Sequence, residues 1–209
     1  MTEALPTTWN KIFLLYSEAS WDSLYRFSLS LCKNDSEAED LTQQTLLKAL
    51  QSLPSFFLVN YSAKSEAEAF AVAGRQGEKE LQTHLLHWML KICKNTFLDE
   101  RSRASRRYTH TSLEDWGEEN ADEHRTAHAS PENNTDSAPS SLAASEKLFF
   151  EQALDDDWKS RFEELNPRQR TILFLAAEDY SYKEIAQLLE IPIGTVMSTL
   201  SRAIVKLKK

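Results

Sequence analysis

The chain has 209 residues, a net charge of −8, 41% hydrophobic residues and 4 glycines. That length buries one ordinary core or two small ones, and a glycine-poor mixture dense in Leu, Ala, Glu and Lys predicts an all-α protein. No apolar run reaches the length of a membrane span and Met1–Asn10 lacks the basic-then-apolar pattern of a secretion leader, so no membrane insertion is expected. Cys32 and Cys93 form no CxxC pair, which predicts a reducing, cytoplasmic setting, and His84, His87, Cys93 and His110 fit no zinc spacing, so neither metal nor cofactor is expected.

In chain order, Leu24, Phe27 and Leu31 form a first helical stripe. Asn34-Asp35-Ser36 breaks it, and Ser36-Glu37-Ala38-Glu39 reads as the cap of the next helix. That helix has two usable faces. Leu46, Ala49, Leu50 and Leu53 are expected to pack inward, while Asp40, Gln43, Gln44 and Leu47, at i, i+3, i+4 and i+7, share a separate stripe. Residues 60–83, with the Ala/Glu-rich run Ser65–Ala73 and with Gly74 and Gly77, predict an extra short helix that can be removed without loss of folding. A long helix is expected over about Leu81 to Arg107, burying Leu86, Leu90, Cys93 and Phe97. It aligns Trp88, Lys91 and Asn95 and ends in Arg101, Arg103, Arg106 and Arg107. Cations near a helix C-terminus gain only ~0.3–1 kcal/mol each from the dipole, so four arginines point to a phosphate backbone.

Residues 108–145 read as a flexible acidic linker. They carry eight Asp and Glu against one Arg, a balance of −7, and Leu113, Trp116 and Leu142 are their only large apolar residues, a composition that cannot offset the entropy of ordering. Residues 85–107 carry +4 and residues 159–209 carry +3, so two basic islands flank the acidic stretch. The predicted architecture is an N-terminal helical bundle, 5–107, and a C-terminal helix-turn-helix domain, 146–209, joined by that tether.

The C-terminal signals are the sharpest. Asn166-Pro167-Arg168-Gln169 predicts a capping box with Pro at the first helical position, Ser181-Tyr182-Lys183-Glu184 predicts another, and Ile191-Pro192 ends the short helix that follows. A last helix from about Ile193 is expected to bury Ile193, Val196, Leu200, Ile204 and Leu207 and to leave Thr195, Ser198 and Arg202 together on the far side, where they would read a DNA groove.

Five segments together carry a family resemblance: DSEAEDLTQQ from Asp35, WMLKICKNTFLD from Trp88, LNPRQR from Leu165, YKEIA from Tyr182 and GTVMSTLSRA from Gly194. In this order they resemble the bacterial RNA polymerase sigma factors of the extracytoplasmic-function group, the group-four members of the sigma-70 superfamily. The resemblance implies a region-two-like domain whose Asp40, Gln43, Gln44 and Leu47 bind core RNA polymerase. Trp88, Lys91, Asn95, Arg101, Arg103, Arg106 and Arg107 would engage the −10 promoter element. It further implies a region-four-like domain in which Arg168, Arg170, Thr195, Ser198, Thr199 and Arg202 contact the −35 element, opening of promoter DNA for initiation, no catalytic site, and an anti-sigma factor as a further partner. The acidic linker would thread basic channels of the polymerase.

Three departures from the family pattern matter. Gln44 stands where an acidic residue is usual, Met197 and Thr199 stand where basic ones are common, and the 60–83 segment expands the loop that captures a flipped −10 base in the family, so no residue of that pocket is carried over. Two other readings remain open. A free-standing helix-turn-helix regulator of the LuxR type fits the C-terminal residues alone, but does not require the Asp40/Gln43 stripe beside a Trp88–arginine helix. A DNA-modifying enzyme would need a nucleophile or metal cluster that the sequence lacks.

Overall fold

A computed structural model describes residues 7–32, 34–75, 78–107 and 156–208. The acidic segment 108–145, His110, and the side chains of Arg106 and Arg107 lie outside the described residues. All regular structure among the described residues is helical. The chain divides into two compact units, Met1–Asp99 and Glu100–Lys209.

The first unit begins with α1 (Thr7–Ser17), absent from the sequence reading, which buries Trp9, Ile12, Phe13 and Tyr16 at 3–4 spacing. A 3₁₀ turn, Glu18–Ser20, leads into α2 (Trp21–Leu31), where Leu24, Phe27 and Leu31 form the predicted buried stripe. The next helix, α3 (Asp35–Tyr61), is capped by Asn34, whose side chain accepts from the Glu37 backbone N–H at 2.7 Å. The cap is therefore two residues earlier than expected, because Asn34 alone adopts the extended backbone that an N-cap needs. Ala38, Leu41, Thr45, Ala49, Leu53, Phe56 and Phe57 make the buried face of α3, whereas Leu46 and Leu50 are half-buried at its margin.

The expansion does contain a helix, α4 (Glu66–Arg75), with Ala69, Val72 and Ala73 buried against α1 and α3. The Tyr16 hydroxyl donates to the Ala73 carbonyl at 3.5 Å. This changes the expectation that the segment is dispensable for folding, since it fills part of the core, although Phe70 remains 57% exposed. Val72→Ala is expected to cost about 1–2 kcal/mol in urea unfolding, whereas Phe70→Ala stays within ~0.5 kcal/mol. Helix α5 (Glu78–Arg107) then buries Leu81, Leu85, Met89, Leu90, Cys93 and Phe97. Its inward face sits one position from the predicted one near its start, which leaves Leu86 half-buried.

In the second unit α6 (Asp156–Glu163) precedes α7 (Pro167–Ala177), α8 (Tyr182–Leu189) and α9 (Ile193–Leu207). Both predicted capping boxes form, on Asn166/Gln169 and Ser181/Glu184. Glu190, left-handed at φ 58°, ends α8, and the axes of α8 and α9 differ by 106°, as a helix-turn-helix requires. The core joins Leu165, Ile172, Leu175, Ile185, Leu188, Val196, Leu200 and Leu207. Arg161 of α6 donates to the Leu207 carbonyl at 3.1 Å, satisfying one orphan acceptor at the end of α9.

Burial, aided by Glu178 and Glu184, pushes the Tyr180 phenol up to about 12. An ordinary phenol titrates near ~10, so the folded state holds this proton more tightly. The associated stability is full below pH ~10 and is lost as pH rises through about 12. An alkaline titration followed by circular dichroism should show helix loss in that window, reduced in Tyr180→Phe.

Candidate nucleic-acid and polymerase interfaces

On α3 the buried line Ala38–Leu41–Thr45–Ala49 turns Asp40, Gln43, Gln44 and Leu47 to the opposite side. All four are exposed, Leu47 to 57%. Leu47 is a single exposed apolar side chain among amides and a carboxylate, and Leu58, Val59 and Phe70 are likewise exposed.

On α5, Lys91, Asn95, Arg101 and Arg103 are exposed, while Trp88 is half-buried with its ring 4.7 Å from that of Phe56 on α3. Trp88 is thus both packed and accessible. Further aromatic groups, which the sequence reading passed over, extend this face. Tyr61 at the end of α3 hydrogen-bonds His84 Nδ1 at 2.8 Å and its ring lies 5.9 Å from Phe56. Burial, with help from Glu80, pushes the Tyr61 phenol up. The available signal was the spacing of His84 four residues before Trp88, which places both on one helical face. Lys94, by contrast, is buried and contributes nothing to the surface charge of α5.

Between these helices runs an open groove of about 480 Å³, lined by Lys48, Gln51, Ser52 and Ser55 of α3 and by Ile92, Asn95, Thr96 and Asp99 of α5. Lys48 Nζ donates to Thr96 Oγ1 at 3.0 Å and ties the two walls together.

In the second unit α9 presents Thr195, Ser198 and Arg202, each half-buried, beyond its buried Val196, Leu200, Ala203, Ile204 and Leu207. Ser198 donates to the Thr195 carbonyl at 3.2 Å. Ile193, expected inside, is 46% exposed because it starts the helix before the packed stripe begins. Met197 is half-buried and borders a groove with Tyr182, Leu200, Ile204 and Val205. Three expected DNA contacts are corrected. Thr199 is 3% exposed, Arg168 8% and Arg170 2%, and the Arg170 guanidinium donates to the Leu165 carbonyl at 2.7 Å. Arg168 and Arg170 follow the Asn166 cap and Thr199 lies midway along α9, and the packing of α7 and α9 draws all three inside.

Among the described residues no cluster of His, Cys, Asp or Glu has the arrangement of a metal site, and no single helix is long and apolar enough to cross a membrane.

A helix-turn-helix with these caps and this outward face defines a DNA-binding class, and residues 157–207 match the family "Sigma-70, region 4". The chain is 24% identical over 192 residues to the ECF RNA polymerase sigma factor SigE of Mycolicibacterium smegmatis, a match covering 88% of this chain. The chain spans 58% of the length of that relative. Its fold is similar to that of the sigma factor RpoE of Bartonella quintana, solved in complex with the anti-sigma factor NepR, with a TM-score of 0.53 and 22% identity over 95% of this chain and 94% of that one. The family match thus covers residues 157–207, and the structural match shows a likeness of fold over nearly the whole chain.

Proposed function

We propose that the chain binds core RNA polymerase through Asp40, Gln43, Gln44 and Leu47 of α3. It directs the enzyme to a two-element promoter and helps open the DNA there. The outward face of α9, within the segment that matches sigma-70 region 4, carries this reading. Thr195, Ser198 and Arg202 project from a helix whose opposite side is packed on α7 and α8. Gly194 adds support, because it is exposed and nothing lies within 4 Å of where a Cβ would stand, which leaves room for a phosphate backbone to approach the helix start.

Trp88, Lys91, Asn95, Arg101 and Arg103 engage the −10 element, and Arg106 and Arg107 extend the same basic run. Domains 5–107 and 146–209 act on the two elements, and the acidic segment 108–145 competes with nucleic acid for basic channels of the polymerase. An anti-sigma factor, the partner present in the RpoE structure, restrains the chain when promoters are to stay silent.

Arg202→Ala tests the −35 assignment. Holoenzyme affinity for promoter DNA is expected to fall by ~1–3 kcal/mol at one base position if Arg202 reads a base pair, or uniformly, with the salt slope reduced by about 1, if it holds a phosphate. Unchanged affinity and slope would remove Arg202 from the interface. The chain alone should bind promoter DNA weakly, since its basic islands are small. Tight, specific binding without polymerase would favour a free-standing regulator.

A further inference from the structure

We propose that Met197 makes α9 a reader of thymine, its thioether side chain packing against the 5-methyl group of one thymine in the −35 element. The inference rests on the placement of α9 in a DNA major groove proposed above, and it adds a specificity-determining residue to that site.

Two adjacent stripes form the outward side of α9. Thr195, Ser198 and Arg202 recur at i, i+3 and i+7, and Gly194, Met197 and Ser201 recur at the same spacing one position earlier. On the second stripe Gly194 and Ser201 are exposed and Met197 is half-buried. With no side chain at Gly194 and only a hydroxymethyl group at Ser201, a base edge reaches Met197 without displacing a large neighbour. Met197 is the fifth residue of α9, within the N-terminal part that meets base edges in a helix-turn-helix.

The side chains that α9 carries decide what it reads. From Ile193 to Leu207 the helix has no Asn, Gln, Asp or Glu. It therefore lacks both the amide that pairs with an adenine edge and the carboxylate that accepts from a cytosine amine. Its cations are Arg202 and Lys206, and Lys206 Nζ is turned back to Gln169 Oε1 of α7 at 3.3 Å. The Ser198 hydroxyl hydrogen is committed to the Thr195 carbonyl. What remains is a guanidinium suited to guanine, the hydroxyls of Thr195 and Ser201, which fit several bases, and the thioether of Met197. The 5-methyl of thymine is the apolar group that a base pair shows in the major groove, and Met197 is the matching surface. Its flexible, polarizable chain adapts to a small apolar contact, and Leu200, Ile204 and Val205 beside it form an apolar bed. A basic residue at this position would hold a phosphate and carry no sequence information. A polymerase segment seated in the groove that Met197 borders is the competing partner. Met197 is the first α9 residue of that groove, at the end next to Gly194 and the DNA-facing stripe, which favours the base.

The test uses the full chain assembled with core polymerase and a promoter duplex selected by this holoenzyme from a pool randomised over the −35 region. At least one position should select thymine. Replacing that thymine by uracil removes the methyl and keeps the base pairing, and it should weaken holoenzyme binding about four-fold, the effect of burying one methyl group. The loss should not vary with salt, since no phosphate contact changes. In Met197→Gln the thymine and uracil duplexes should bind equally, and in Met197→Leu the preference should persist, with helicity and core binding unchanged in both. The inference is overturned if no position selects thymine, or if uracil binds as tightly as thymine at every selected position. It is also overturned if the preference survives in Met197→Gln, which would assign the methyl to Thr195, or if Met197→Gln loses core binding, which would make the groove a protein contact. In each of these cases the sigma-factor reading stands. A pool in which no base is selected over the −35 region would overturn the placement of α9 on DNA as well.

Discussion

Asp40→Lys combined with Gln43→Lys is expected to lower affinity for core RNA polymerase by about 100-fold or more while leaving the helical content unchanged. The magnitude follows from charge reversal at a complementary interface, where like-charge juxtaposition costs several kcal/mol and each ~1.4 kcal/mol is a factor of ten. The insensitivity of the fold follows from exposure, because both side chains point away from the buried face of α3. Fluorescence anisotropy against core polymerase and circular dichroism on the same samples separate the two effects. A loss of helix in step with binding would make the stripe structural. Leu47→Ala should produce a smaller loss of affinity, since it removes apolar contact without adding repulsion.

Arg170→Ala carries the largest expected cost to stability, about 3–5 kcal/mol, because it combines a cavity at a 2% exposed position with an unpartnered Leu165 carbonyl. The described helices of this unit, α6 to α9, bury a small core with little stability to spare, so the substitution should leave it largely unfolded near room temperature. Arg170→Met, which restores most of the volume, should recover part of the loss. That pattern in urea titrations would establish Arg170 as a scaffold residue. A fully folded Arg170→Ala with reduced, salt-sensitive DNA binding would return it to the surface role that its charge suggested.

The two capping boxes and the turn between α8 and α9 were legible in the sequence because such signals are local. A cap needs only a side-chain oxygen, an extended residue and a partner three positions on, all written in one short segment. The exposed stripe on α3 was legible for a related reason, as its residues recur with the helical period. Thr199, Arg168 and Arg170 were misplaced because polarity predicts exposure only on average, and the packing of α7, α8 and α9 decides which polar groups go inside. The contribution of α4 to the core was hidden by its alanines, whose small side chains give little periodic signal yet allow close packing on α1 and α3. The α3–α5 groove was invisible for a different reason, since its walls are about forty residues apart in sequence and meet only in the folded unit.

Initiation itself tests the account most directly. Purified chain, core RNA polymerase and genomic DNA from the source organism would be combined, and the 5′ ends of the transcripts mapped with and without the chain. The account predicts new, discrete start sites that depend on the chain and share two upstream sequence elements, and the Asp40→Lys, Gln43→Lys variant should abolish them. Start sites that do not change when the chain is added, with core polymerase shown to be active on a control template, would contradict it.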